Sequence, residues 1–288
     1  MKLDPRLRAA LESRGLAEPT PAQSAAWPAI ASGKHTLLIA PTGVGKTEAA
    51  VVPLLDGMLR KPAQPIAVLY ITPLRSLNRD MLRRLRGFGE ELELPVAVRH
   101  GDTSQKERNR QSRHPPQLLV TTPETLQIML SGKRLRTHVA QVRAVVVDEV
   151  HELASSERGA QLSLALERLA LLAGEFQRIG LSATVGTPDD VAGFLGGDRQ
   201  VEIVAPEIDR RMDLQVVAPQ PIEEDEVLSA ELYWEPERIA ALRYCAKAAA
   251  GRPTLLFVNT RDTAEALGVR WSMWQPDAPI TVHHGSLS

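Results

Sequence analysis

Two groups of residues in this sequence could do chemistry together. Residues 40–47 read APTGVGKT. They follow an apolar run and precede a helical pattern, the setting a phosphate-binding loop requires. Glycines let the backbone curl until successive N–H groups point at phosphate oxygens, and the helix N-terminus adds a favourable dipole. In such a loop Thr42, Gly43, Val44 and Gly45 wrap the phosphates, Lys46 reaches the β- and γ-phosphates, and the Thr47 hydroxyl faces Mg²⁺. The general pattern starts on glycine, whereas this loop starts on Ala40. The second group is Asp148-Glu149-Val150-His151, behind the apolar residues 144–147. Carboxylates at the C-terminal end of a buried strand sit where open α/β sheets bind ligands, and they need partners there. Asp148 would hold Mg²⁺ largely through water, and Glu149 would position and polarise an attacking water. Read alone, the segment could be an acidic strand-to-turn exit. The loop upstream favours the catalytic reading.

Other polar positions say less singly. Ser182 and Thr184 end another apolar run, where they could join a hydrogen-bond chain to a carboxylate or form a polar turn. Thr72-Pro73 and Thr122-Pro123-Glu124 each open a helix just beyond a strand. Such N-termini bind phosphate, and Arg75 adds charge, but proline at a first helical position also starts helices that bind nothing. His151 has no His or Cys at metal-ligand spacing, so zinc is set aside. From Arg75 to Arg113, ten basic residues stand against six acidic ones. That excess suits either a nucleic-acid backbone or a solvated helix surface.

The elements that must position these residues are legible as alternation. Continuous apolar runs at 36–40, 66–71, 96–98, 118–121, 144–148, 179–182 and 201–204 suggest parallel strands buried on both faces. Helical patterns lie between them. The clearest, about 158–173, carries Leu162, Leu166, Leu169 and Ala173 in one stripe. This is an α/β fold with a parallel sheet flanked by helices. After residue 205 the pattern loosens into an expected exit strand at 214–218 and a linker, together spanning 206–235. A second α/β pattern then begins, with strands expected at 254–258 and 280–284.

The length of 288 residues suits about two domains. With 34 Lys and Arg against 35 Asp and Glu, the chain is no uniformly basic binder, although a local basic face remains open. An apolar content of 43% with 24% charge excludes disorder. The single Cys245 excludes an internal disulfide and suits a reducing compartment. Neither a membrane span nor a signal-peptide stretch is visible, so no membrane partner is expected and the expected location is cytoplasmic, associated with the nucleoid.

Taken in order, the motifs resemble a superfamily 2 helicase of DEAD/DEAH type over almost the whole chain. Within that superfamily the chain resembles the Lhr (large helicase-related) group. The residues that carry this are APTGVGKTEAA at 40–50, PLRSLNRDM at 73–81, the DEVH segment with its following helix at 147–169, FVNTR at 257–261 and HHGSLS at 283–288. Ski-type relatives usually carry HHAGL at the last of these. The resemblance implies a P-loop NTPase of RecA-like fold, with ATP and Mg²⁺ as cofactors. It implies that Gln23, in PTPAQ at 19–23, reads adenine. His151, Ser182 and Thr184 would couple hydrolysis to nucleic-acid binding. Pro73, Leu74, Arg75, Gly101, Asp102, Thr122, Pro123, Glu124, Asn259, Thr260 and Arg261 would contact the strand.

The implied activity is ATP-dependent 3′-to-5′ movement on single-stranded DNA in preference to RNA. It would unwind DNA or RNA:DNA duplexes in DNA repair. Residues 1–205 would form the first RecA-like domain, and 236–288 the start of a second. The family's motifs V and VI, with their arginine fingers, do not follow in the sequence. The chain alone is therefore expected to hydrolyse ATP weakly and not to unwind. The rival readings are a nucleotide-gated nucleic-acid-binding module without motor activity, an RNA helicase of the Ski-related branch, and, more remotely, a P-loop kinase.

The division of labour between the two groups is testable. Lys46→Ala should abolish nucleotide binding or hydrolysis, whereas Glu149→Gln should keep binding and lose turnover. Titration with a fluorescent ATP analogue, beside phosphate release, separates the two. Equal loss of binding in both variants would contradict the assignment.

Overall fold

The computed structural model describes residues 2–73, 78–208 and 213–284, with backbone alone at 78–80 and 133–134. The chain divides into two compact units, 1–210 and 211–288.

The first unit is built on seven strands: β1 (His35–Ile39), β2 (Val68–Ile71), β3 (Val96–Arg99), β4 (Leu118–Thr121), β5 (Ala144–Val147), β6 (Gln177–Ser182) and β7 (Val201–Val204). They form one sheet in the order β3-β4-β2-β5-β6-β1-β7. Every pairing is parallel. All seven strands expected for this unit are present, with some ends shifted by a residue or two.

The continuous apolar runs have a simple cause. Successive side chains of a strand point to opposite faces. Leu38, Tyr70, Val120, Val146 and Leu181 join the core on one face. Their neighbours Leu37, Leu69, Ile71, Leu119, Val145 and Val147 join the core on the other. Helices Pro5–Glu12, Pro21–Ala31, Lys46–Arg60 and Asn78–Glu91 cover the first face with Leu7, Ile30, Leu55 and Phe88. Helices Pro123–Ser131, Lys133–Val139, Val150–Ala154, Glu157–Ala173 and Pro188–Gly196 cover the second with Leu126, Val139, Leu153, Leu166 and Leu195. With both faces covered, neither can be polar.

The helix expected near 158–173 runs from Glu157 to Ala173 and buries Leu162, Leu166 and Leu169. Ser156 caps it by accepting a hydrogen bond from Gly159 N–H at 3.2 Å. Gly159 is required by packing, because a Cβ there would run into the Leu153 carbonyl of the preceding helix.

The second unit departs from expectation. It holds helices Glu223–Leu232, Pro236–Ala249 and Arg261–Trp274 around a small core of Leu232, Ile239, Leu242 and Trp271. Among its described residues there is no strand, so the strands expected at 214–218, 254–258 and 280–284 are corrected. A strand needs a neighbour to complete its ladder, and here none is paired. Val216 and Phe257 are instead 97% and 89% exposed. The stretch 206–235 is also not a plain linker. Its acidic cluster, Glu223 to Glu226, is the first turn of a helix, where negative charge suits the dipole. Asp225 accepts from Ile222 N–H at 3.0 Å and pairs with Arg243 at 2.9 Å.

Gly159→Ala weighs two effects of opposite sign. Alanine favours helix, but overpacking against a backbone carbonyl costs more. A net loss of about 1–2 kcal/mol is expected in denaturant unfolding. A gain in stability would show that the helix start can shift.

Candidate nucleotide site

Parallel pairing brings the C-terminal ends of all seven strands to one edge of the sheet. In strand order the loops there fall into two halves. Those after β5, β6 and β1 carry 148–151, 182–184 and 40–47. Those after β3, β4 and β2 carry 101–102, 122–124 and 72–73. β2 and β5 are neighbours, so the two halves meet between them.

The loop after β1 turns on two glycines, Gly43 and Gly45, both at φ 81°. That left-handed region disfavours any residue with a Cβ. At Gly45 a Cβ would also come within 2.5 Å of Gln23 Nε2. Gly45 leads directly into helix Lys46–Arg60. Lys46 is nearly buried and folds back so that Nζ donates to Ala40 O at 2.9 Å.

Gln23 is fixed by local sequence. Thr20-Pro21-Ala22-Gln23 is a capping box with proline at the first helical position. Gln23 Oε1 accepts from Thr20 N–H at 3.0 Å, and its Nε2 donates to Gly45 O at 3.4 Å. Thr20 Oγ1 donates to Val44 O at 2.8 Å. The pair therefore braces the loop, while the Gln23 amide keeps one donor and one lone pair for a ligand.

Asp148 follows β5. Its Oδ2 accepts from the Tyr70 hydroxyl at 2.9 Å, and its Oδ1 from Glu149 N–H at 3.1 Å. Burial pushes the Asp148 carboxyl above its usual range, the Tyr70 hydrogen bond opposes that, and the Glu149 charge adds to it. Burial and the Asp148 charge push the Tyr70 phenol well up, and a hydrogen bond with the Thr47 side chain opposes that. Tyr70 thus stands between the two residues expected at the metal. Sequence reasoning passed over it, and its only signal was one phenol in an aliphatic strand.

Glu149 lies at φ 46°, ψ 43°, left-handed and not glycine. Such a conformation costs about 1–2 kcal/mol. Strain of this kind concentrates at functional positions. His151 Nδ1 is 3.2 Å from Ser182 Oγ, 3.4 Å from Ala183 N and 3.6 Å from Glu149 Oε2. Thr184 is exposed and outside this cluster.

Gln23, Thr42, Gly43, Val44, Gly45, Lys46, Thr47, Asp148 and Glu149 line one cavity of about 770 Å³. Its far wall was not foreseen. Arg14, Leu16, Met81, Arg84 and Phe88 line it. The Arg14 guanidinium sits 4.6 Å from the Phe88 ring centroid. Arg84 Nη1 binds the buried Glu48 at 2.6 Å, tying this wall to the first turn of helix Lys46–Arg60. The hydroxyl of Thr47 and the carboxylate of Asp148 are hard oxygen donors, the type Mg²⁺ takes beside nucleotide phosphates.

The other half of the edge is braced as well. Thr122 Oγ1 caps helix Pro123–Ser131, and Glu124 accepts from Arg158 Nε at 2.6 Å. Gly101 and Asp102 form an exposed turn held by Arg108, which donates to Gly101 O at 2.7 Å. Pro73 is described, whereas Leu74 and Arg75 lie outside the described residues. Asn259, Thr260 and Arg261 are exposed on the second unit, where Thr260 caps helix Arg261–Trp274. No helix among the described residues is long and apolar enough to cross a membrane.

With this geometry in hand, known proteins can be compared. The DEAD/DEAH box helicase family model matches residues 20–191. The Lhr helicase/probable uracil glycosylase of Mycolicibacterium smegmatis is 42% identical over 272 residues, covering 88% of this chain and 18% of that protein. The ATP-dependent helicase Lhr-Core of Methanothermobacter thermautotrophicus is 37% identical, covering 93% of this chain and 34% of that protein. A solved structure of the Mycobacterium smegmatis helicase Lhr bound to ssDNA and AMP-PNP matches 99% of this chain and 38% of that one. Its TM-score is 0.78 at 37% identity. The DEAD-box helicase Mss116 bound to ssRNA and UDP-BeF, at 18% identity and TM-score 0.73, shares the fold. The expected resemblance to the Lhr group is borne out, and so is the RecA-like sheet. This chain spans 18% to 34% of the length of the two curated relatives named.

Tyr70→Phe removes the one phenol between Thr47 and Asp148 without changing volume much. It leaves the half-buried Asp148 carboxylate short of a donor. A stability loss of about 1–3 kcal/mol is expected in urea unfolding of the nucleotide-free protein. Unchanged stability would mean that Asp148 finds another donor.

Proposed function

The chain belongs to the DEAD/DEAH box helicase family, and from that premise we propose that its first unit is the ATP-binding domain of an Lhr-type nucleic-acid motor. One observation carries this: a phosphate-binding loop, the half-buried Asp148 and the strained Glu149 line a single cavity. The loop amides and Lys46 hold the β- and γ-phosphates. Thr47 and Asp148 would hold Mg²⁺ through their side-chain oxygens. When bound, Mg²⁺ neutralises charge that develops on the phosphates. Glu149 orients the attacking water and takes its proton toward Oε1 or Oε2. Gln23 reads adenine through the hydrogen-bonding capacity its capping role leaves over. His151 and Ser182 report the state of the site to the rest of the domain, and Thr184, exposed outside their cluster, completes the coupling segment.

On the other half of the edge, 73, 101–102 and 122–124 form the nucleic-acid track; Leu74, Arg75, Asn259, Thr260 and Arg261 are assigned as further strand contacts from the resemblance. We take residues 1–205 as the first RecA-like domain, 206–235 as its connection, whose helix Glu223–Leu232 already packs into the second unit's core, and 236–288 as the start of a second. For the motor as a whole the proposal is 3′-to-5′ movement on single-stranded DNA, unwinding of DNA or RNA:DNA duplexes, and service in DNA repair in the cytoplasm. Similarity to Lhr proteins, one of them solved with ssDNA and AMP-PNP, supports the choice of strand.

The test is phosphate release by the chain with matched single-stranded DNA and RNA, beside binding of a fluorescent ATP analogue. Saturable analogue binding is expected, with slow turnover raised more by DNA than by RNA. Failure to bind the analogue would sink the ATP reading. Stronger stimulation by RNA would reverse the strand preference.

A further inference from the structure

We propose that Arg158 is a positioning residue that locks two segments of the strand track, at Pro73 and Glu124, to the helix following the Asp148–His151 segment. This rests on the functional reading above, because the track itself is part of that reading.

Arg158 is the second residue of helix Glu157–Ala173. Its Nε donates to Glu124 Oε1 at 2.6 Å, and its Nη2 donates to Pro73 O at 3.0 Å. Glu124 lies in the first turn of helix Pro123–Ser131, after β4, and Pro73 lies in the loop after β2. One guanidinium therefore joins two loops that the chain separates by some fifty residues. Nε and Nη2 form one edge of a rigid planar fork, so both bonds are made in a single orientation. A lysine at this position could make only one of them well.

The anchor is itself stiff. Helix Val150–Ala154 carries His151 and ends just before Ser156, the cap of the Arg158 helix. Gly159 packs on the Leu153 carbonyl and leaves no slack between the two helices. Further along, Gln127 Nε2 donates to Gln161 O at 2.7 Å, and Arg168 Nη1 donates to Gln127 Oε1 at 2.6 Å. Helix Pro123–Ser131 is thereby fixed to helix Glu157–Ala173 along its length. A displacement that begins at Glu149 or His151 must pass the position from which Arg158 holds both loops.

The alternative for an arginine beside a strand track is direct phosphate contact. The two roles differ in salt dependence. A phosphate contact releases about one counterion, whereas a side chain paired with Glu124 releases none. Single-stranded DNA binding by Arg158→Ala, Arg158→Lys, Glu124→Gln and the Arg158→Ala/Glu124→Gln double variant should be measured by fluorescence anisotropy across a salt series. Arg158→Ala is expected to bind about tenfold more weakly. Its log–log salt slope should equal that of the wild type, Arg158→Lys should recover only part of the affinity, and Glu124→Gln should add little to Arg158→Ala.

Wild-type affinity in Arg158→Ala, a slope reduced by about one, or full additivity in the double variant would each overturn the positioning role. If Arg158→Ala does not fold, Arg158→Lys carries the same comparison. A wild-type chain that binds no strand would overturn the track reading itself, a different outcome from a wild type that binds and an Arg158→Ala variant that binds equally.

Discussion

Every strand pairing in the first unit is parallel, and this one constraint places the chemistry. Parallel strands end together, so six loops from distant parts of the chain share one edge of the sheet. Strand order then sorts them into a nucleotide half and a strand half. The border between β2 and β5 is where a side chain of one half reaches the other. Tyr70, carried on β2, donates to Asp148 at the end of β5. Arg158, from the helix after Asp148–His151, reaches back to the loop after β2. Both contacts exist only because the two strands are neighbours.

The site is assembled at a local cost. A left-handed Glu149, two glycines at φ 81° and a carboxylate driven upward by burial are each unfavourable alone. They persist because the surroundings leave no alternative. The capping box at Thr20 and Gln23 braces the glycine loop from outside. Tyr70 and the Glu149 backbone supply hydrogen bonds to the half-buried Asp148 carboxylate. Apolar cores on both faces of the sheet fix the strand ends from which all of these residues project.

The second unit is the counter-case. Its three helices pack around a few apolar residues, while the runs at 214–218 and 254–258 leave Val216 and Phe257 nearly fully exposed. Composition there resembles strand, and pairing does not occur. Apolar β-branched residues make a strand possible, but a neighbouring backbone makes it real. The acidic residues Glu223–Glu226 open a helix inside the stretch expected as a linker, since charge that suits solvent also suits a helix N-terminus.

By itself the sequence determined the motifs with fixed internal spacing. Residues 40–47 turn on their own glycines, Thr20 to Gln23 is a capping box within four residues, and the continuous apolar runs of the first unit are strands buried on both faces. These signals are local, so one chain segment contains them whole. Tertiary structure alone decided what crosses between segments. Tyr70 between Thr47 and Asp148, Glu48 with Arg84, and Arg158 on Pro73 and Glu124 are contacts of residues far apart in the chain. No spacing rule encodes such contacts, because they depend on which strands lie side by side, and that order is set by the packing of the whole sheet.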